Sequence, residues 1–232
     1  MNPAREAILG KIRRALREEE VGPLGGIRTG EERTSPAIPR DYRRRGTRVA
    51  GELLNLLQDR IVDYKATVVG CTLPELPSAV SRRLGARAAL RLVTPGDLPD
   101  TWLKEISRER LEILRDLDPR TLSKEQLTSA HAVLTGCALA IAETGTLVLD
   151  GGATQGRRAL TLLPDYHLCV VFQHQVVETV PEAVEALKGA AKEIRAPLTL
   201  ISGPSATSDI ELIRVEGVHG PRTLEVILVV DS

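Results

Sequence analysis

Three consecutive segments constrain the fold more than any other part of the chain. They are Ala66-Thr67-Val68-Val69-Gly70, a helical stretch carrying Leu76, Val80 and Leu84, and Ala88-Ala89-Leu90-Arg91-Leu92-Val93. Strand, helix and strand joined by short links form a βαβ unit, whose crossover makes the strands parallel. The pattern predicts an α/β fold with a mainly parallel sheet flanked by helices, and Gly85 is the expected helix stop. Further apolar runs extend the series at 111–114, 132–142, 147–149, 166–172, 196–202 and 224–230.

Helical spacing is clearest from Pro181 to Arg195. There Val180, Val184, Leu187, Ala191 and Ile194 form a stripe opposite Glu182, Glu185, Lys188 and Lys192. A second helix is predicted from Thr47 to Tyr64, and a short one begins at Ser123, where Gln126 completes a capping box. Asn2-Pro3 opens an N-terminal helix to about residue 18, and Gly and Pro then break every period through residues 22–40. The expected division is an N-terminal helical arm over 1–45 and an α/β domain over 46–232. The basic cluster Arg40, Arg43, Arg44, Arg45 and Arg48 reads either as a solvated lead into the next helix or as a site for an acidic partner.

Lys+Arg and Asp+Glu are 31 each and aromatic residues make up 2%, so the chain lacks both the phosphate-neutralising charge and the stacking platforms of a nucleic-acid binder. Cys71, Cys137 and Cys169 form no C-x-x-C pair, which excludes a cluster-binding motif and suits a reducing compartment. No run approaches a membrane span and no signal-peptide core opens the sequence, so cytoplasmic location without membrane insertion is expected. No paired histidines suggest a metal site, and no nucleophile elbow, phosphate loop or dinucleotide fingerprint is present.

Three polar turns follow apolar strands, the place where open α/β sheets bind ligands. The first is Glu143-Thr144-Gly145-Thr146, where Glu143 is the lone carboxylate between Leu127 and Leu149. It reads equally as a pin for the turn and as an acid–base or nucleophilic group. The second, Gly203-Pro204-Ser205-Ala206-Thr207-Ser208-Asp209-Ile210-Glu211, reads as a strand running into a helix start, which either caps itself or binds a weakly charged anion. The third, Gly217-Val218-His219-Gly220-Pro221, offers His219 as a general acid or base or as a structural hydrogen-bonder. His167, at a strand start, shares that ambiguity.

Ile141-Ala142-Glu143-Thr144-Gly145-Thr146, Leu163-Pro164 with His167, and the turns at 203–211 and 217–221 together resemble the lactate-utilisation (LUD) domain family over roughly residues 46–232. The resemblance implies a fold of the NagB/RpiA/CoA-transferase-like group. It also implies a role in oxidising L-lactate to pyruvate beside two iron–sulfur partner proteins, as a non-redox subunit with no cofactor in this chain that binds a small carboxylate metabolite or its partner subunits. Glu143 and His219 are the implied catalytic candidates, with Thr144, Gly145, Thr146, Gly203, Ser205, Thr207 and Asp209 as ligand-binding candidates. Many family members carry an acidic residue shortly before the first turn where this chain has Ala138, which leaves Glu143 alone. The alternative is a stand-alone transferase or isomerase acting through Glu143 on a small acyl, carboxylate or sugar-phosphate substrate.

Overall fold

The computed structural model describes residues 3–18, 41–118, 120–194, 197–208, 214–216 and 220–230. The chain divides into two units, Met1–Tyr42 and Arg43–Ser232. The described part of the first is helix α1, Pro3–Glu18, as its Pro-led start predicts. The Gly/Pro-rich stretch 22–40 lies outside the described residues.

The second unit is built on six parallel strands: β1 (Thr67–Thr72), β2 (Arg91–Pro95), β3 (Glu112–Asp116), β4 (Ala132–Thr135), β7 (Tyr166–Phe172) and β12 (Thr223–Val230). Their order in the sheet is β1-β12-β7-β4-β2-β3. The expected βαβ segment does supply two parallel strands. They are not neighbours, because β12, β7 and β4 lie between β1 and β2. Sequence pattern shows that a crossover is parallel, but the pairing of strands distant in sequence decides how far it reaches.

Burial on both faces follows the two-residue period of a strand. On β7 and β12, Leu168, Val170, Ile227 and Val229 pack with Leu76, Val80 and Leu84 of helix α3, Leu76–Ala86. Cys169, Val171, Val226 and Leu228 point the other way, onto Leu57 and Ile61 of helix α2, Ala50–Asp63.

That second face also carries a smaller sheet. The hairpin β5 (Leu139–Ile141) and β6 (Thr146–Leu149) is flanked by β8 (Val176–Val177) and β9 (Thr199–Ile201), in the order β8-β5-β6-β9. Helix α5, Val180–Ile194, covers its outer side by setting Ala183 and Leu187 against Leu139, Ile141 and Val148. The Ser123 capping box forms as predicted and starts helix α4, Lys124–Thr128, with Ser123 Oγ accepting from the Gln126 N–H at 3.2 Å.

One sequence expectation is overturned. The segment after Gly203-Pro204 is not a helix start: β10 (Ala206–Ser208) pairs antiparallel with β11 (Arg214–Glu216). Alternating Ala-Thr-Ser in extended conformation finds a cross-strand partner, and that pairing outweighs the local capping signal of Ser and Thr. Residues 209–213, with Asp209 and Glu211, lie outside the described residues.

Candidate functional site

The last residues of α2 seat two of the polar turns. Gly145 has φ 57°, and a Cβ there would lie 2.7 Å from the Arg60 backbone. Gly203 has φ 81°, and a Cβ there would lie 2.6 Å from the Tyr64 carbonyl oxygen. Both positions need the left-handed backbone and the missing side chain that glycine supplies. Seated this way, the turns touch: Thr144 and Thr146 share a hydroxyl hydrogen bond of 2.7 Å, and Thr146 Oγ1 lies 2.8 Å from Ser202 Oγ. The Ser205 N–H then donates to the Pro221 carbonyl at 2.8 Å, which joins the third turn to the second.

These contacts border a cavity of about 240 Å³ whose wall includes Ser202, Gly203, Ser205, Gly220, His167 and Arg158. His167 is the second residue of β7 and is buried, with Nε2 2.8 Å from Thr135 Oγ1 on the adjacent β4. That contact fixes the ring, and the Cys169 thiol is a second hydrogen-bonding neighbour of the same side chain.

A larger cavity, about 910 Å³, adjoins the first and shares Arg158, Thr161 and Thr199 with it. It opens at the carboxyl ends of β2 and β3, where Gly96, Asp97 and Asp118 follow the strands, and it is closed by the loop around Gly151–Gly156. Most of its charged groups are committed. Asp116 takes Arg157 in a two-pronged pair of 2.8 and 3.1 Å, Arg157 also donates to the Leu122 carbonyl at 2.6 Å, and Asp97 accepts from the Thr154 N–H at 2.8 Å. The exposed Arg158 guanidinium has no hydrogen-bonding or ion-pair partner among the described residues.

Glu143 faces a different environment. Its carboxylate pairs with Arg43 and is 33% exposed, and it lines neither cavity. Next to it, the buried Glu178 accepts from the Arg48 guanidinium at 2.6 Å, from the Thr47 and Arg48 N–H groups at 2.8 Å each, and from Arg43 at 3.3 Å. The Arg48 backbone hydrogen bond, followed by that of Thr47 and the two guanidinium charges, outweighs burial and holds the Glu178 carboxyl below its ordinary pKa. Two arginines of the basic cluster are thus taken up by acids of the same chain.

On the opposite face of the sheet Glu225 is buried, receiving Arg83 at 2.7 Å, Arg87 at 2.6 Å and the Tyr166 hydroxyl at 2.8 Å. Burial pushes its pKa up, and the three donors more than reverse that, so the net shift is downward.

Residues 48–229 match the LUD domain family. The chain belongs to that family. It is 52% identical over 178 residues to the lactate utilization protein C of Deinococcus radiodurans, a match covering 77% of this chain and 80% of that protein. A protein of the same name from Geobacillus kaustophilus is 27% identical over 197 residues, covering 78% and 79%. Among solved structures, a crystal structure of a DUF162 family protein from Deinococcus radiodurans aligns with TM-score 0.66 at 42% identity, covering 79% of this chain and 99% of that one.

Within this LUD domain the residues singled out from sequence separate into groups. Gly203 and Ser205 line the small cavity; Thr144 and Thr146 reach its edge through Ser202; Gly145 seats its turn on α2. Thr207 lies on β10, while Asp209 and His219 fall outside the described residues. Sequence reading missed Arg158. Its only signal was two adjacent arginines in a loop, and nothing in the pattern says that Arg157 is neutralised while Arg158 is not.

Cys137 and Cys169 are buried among Thr135, His167 and Gly136. Its hydrogen bond with Cys169, and then burial, push the Cys137 thiol well above its ordinary pKa, which makes it a poor nucleophile. Among the described residues no group of three or more His, Cys, Asp or Glu side chains is placed to hold a metal ion, and no helix is long and apolar enough to cross a membrane.

Proposed function

We propose that this LUD domain serves lactate utilisation in the cytoplasm by binding a small carboxylate, L-lactate or pyruvate, in the 240 Å³ cavity. In this reading it acts as the non-redox component beside two iron–sulfur partner proteins that carry the electrons. The observation that carries the ligand assignment is Arg158, whose guanidinium has no partner among the described residues and which lines a cavity with room for a three-carbon acid. Guanidinium and carboxylate match as a two-pronged, charge-assisted pair. The His167 ring and the Thr161 hydroxyl, which donates to the Arg158 carbonyl at 3.3 Å and keeps lone pairs to accept with, line the same cavity beside the oxygen on C2, so one site accommodates both the hydroxy acid and the keto acid. The names of the relatives from Deinococcus radiodurans and Geobacillus kaustophilus support the metabolic role. The carboxylate of Glu143 is engaged by Arg43, and no observation favours turnover through it.

Calorimetric titration of the full chain with L-lactate and with pyruvate tests the ligand. Saturable binding that weakens about tenfold or more in Arg158→Gln is expected. Heat changes identical in the two proteins would sink the assignment. Reconstitution tests the role: lactate-dependent dye reduction by the two iron–sulfur proteins should rise when this chain is added, and an unchanged rate would refute it.

A further inference from the structure

The large cavity calls for a ligand of different chemistry. At about 910 Å³ it is nearly four times the volume of its neighbour and far exceeds a three-carbon acid. Two carboxylates, Asp97 and Asp118, stand at the ends of adjacent strands β2 and β3. Asp97 uses Oδ2 for the Thr154 N–H, and the Asp118 carboxylate has no partner among the described residues. Thr121, Thr161 and Thr199 add hydroxyls, Arg158 adds the one cation on this wall not already paired among the described residues, and Leu117, Leu149 and Pro197 give an apolar side.

Carboxylates at a cavity wall accept hydrogen bonds, so the ligand must bring donors to them, and Arg158 asks for an anion. An amine would satisfy the acids and be repelled by Arg158. A dianion would suit Arg158 and be repelled by Asp97, Asp116 and Asp118. A molecule with several hydroxyls and a single negative charge satisfies all of them, its hydroxyls on the acids and its C–H faces on the apolar side.

We infer that the large cavity is a second ligand site, for a polyhydroxylated monocarboxylate of the sugar-acid type, whose carboxylate competes for Arg158 with the small acid next door. Only the competition rests on the function proposed above; the site itself stands on the cavity and its own acids.

The test titrates gluconate into the full chain, into Arg158→Gln and into the double variant Asp97→Asn/Asp118→Asn, with glycerol 3-phosphate as the dianionic comparison. Saturable gluconate binding is expected, weakened about tenfold or more in both variants. Pyruvate binding should weaken only in Arg158→Gln, and pyruvate should raise the apparent gluconate Kd in the unaltered chain. No gluconate binding up to about 10 mM, a floor of weak affinity near 3 kcal/mol, would overturn the inference. So would gluconate binding indifferent to the aspartate variant, or tighter binding of glycerol 3-phosphate than of gluconate. If gluconate behaves as expected while pyruvate fails to bind, the second site stands and the small-carboxylate reading falls. The aspartate variant removes no buried group, and thermal melting verifies that both variants are folded.

Discussion

Glu143 and Arg158 are both charged side chains beside a largely buried core, Glu143 in the turn between β5 and β6 and Arg158 at the start of a 3-10 turn, Arg158–Thr161, but their surroundings differ. Glu143 meets Arg43, and its neighbour Glu178 is surrounded by two guanidiniums and two backbone N–H groups. Arg158 stands on the wall between two cavities with no partner among the described residues. A charge whose bonding capacity is filled from within its own chain holds segments together, whereas one left unfilled at a cavity is available to a ligand. The residue that looks most catalytic in the sequence belongs to the first kind.

The largest test of this contrast uses the most completely satisfied acid. Glu225→Gln leaves Arg83 and Arg87 facing a neutral amide, and breaking such a buried pair costs about 3 kcal/mol, read as a lower urea midpoint. Ligand affinity measured well below the melting range should not change.

Arg158→Gln should do the reverse. Carboxylate affinity falls about tenfold, near 1.4 kcal/mol, with the urea midpoint unmoved, because no described internal partner is lost. A fall in stability comparable to that of Glu225→Gln would erase the distinction between the two kinds of charge.

Acid should act on the satisfied group alone. The folded-state pKa values of Glu178 and Glu225 are depressed. Their contribution is therefore fully present above the ordinary glutamate pKa of about 4.3 and is lost as pH falls below it. Urea midpoints measured downward from about pH 5 should decline, and the decline should be shallower in Glu225→Gln. A flat profile would contradict the depressed values. The smallest effect belongs to Glu143→Gln: a partly exposed pair with Arg43 contributes about 0.5 kcal/mol, and carboxylate binding should not change.

The contrast also explains what the sequence disclosed. Parallel strands, α5 and the Ser123 capping box were legible because period and capping are local properties, as were the strand-end turns. The β10–β11 ribbon was not, since its stability comes from a partner strand eight residues away and its first residues carry a capping signal. Arg43 and Arg48 looked solvated because their acidic partners lie 100 or more residues further along. Arg158 was invisible for a related reason: only the whole arrangement of surrounding acids shows which of two adjacent arginines is left over. Ser205 and Gly203 were found because a Gly-Pro break after a strand marks a turn wherever it occurs.

The placement of β12 bears on how the protein is made. Among the described residues this strand, Thr223–Val230, alone links β1 to β7 in the large sheet, with seven paired positions on the β7 side and six on the β1 side. During synthesis the earlier strands leave the ribosome with the site between β1 and β7 vacant and both of its edges unpaired. Sheet closure therefore waits for residue 230, and until then the nascent chain exposes apolar edges that invite chaperone attention or self-association.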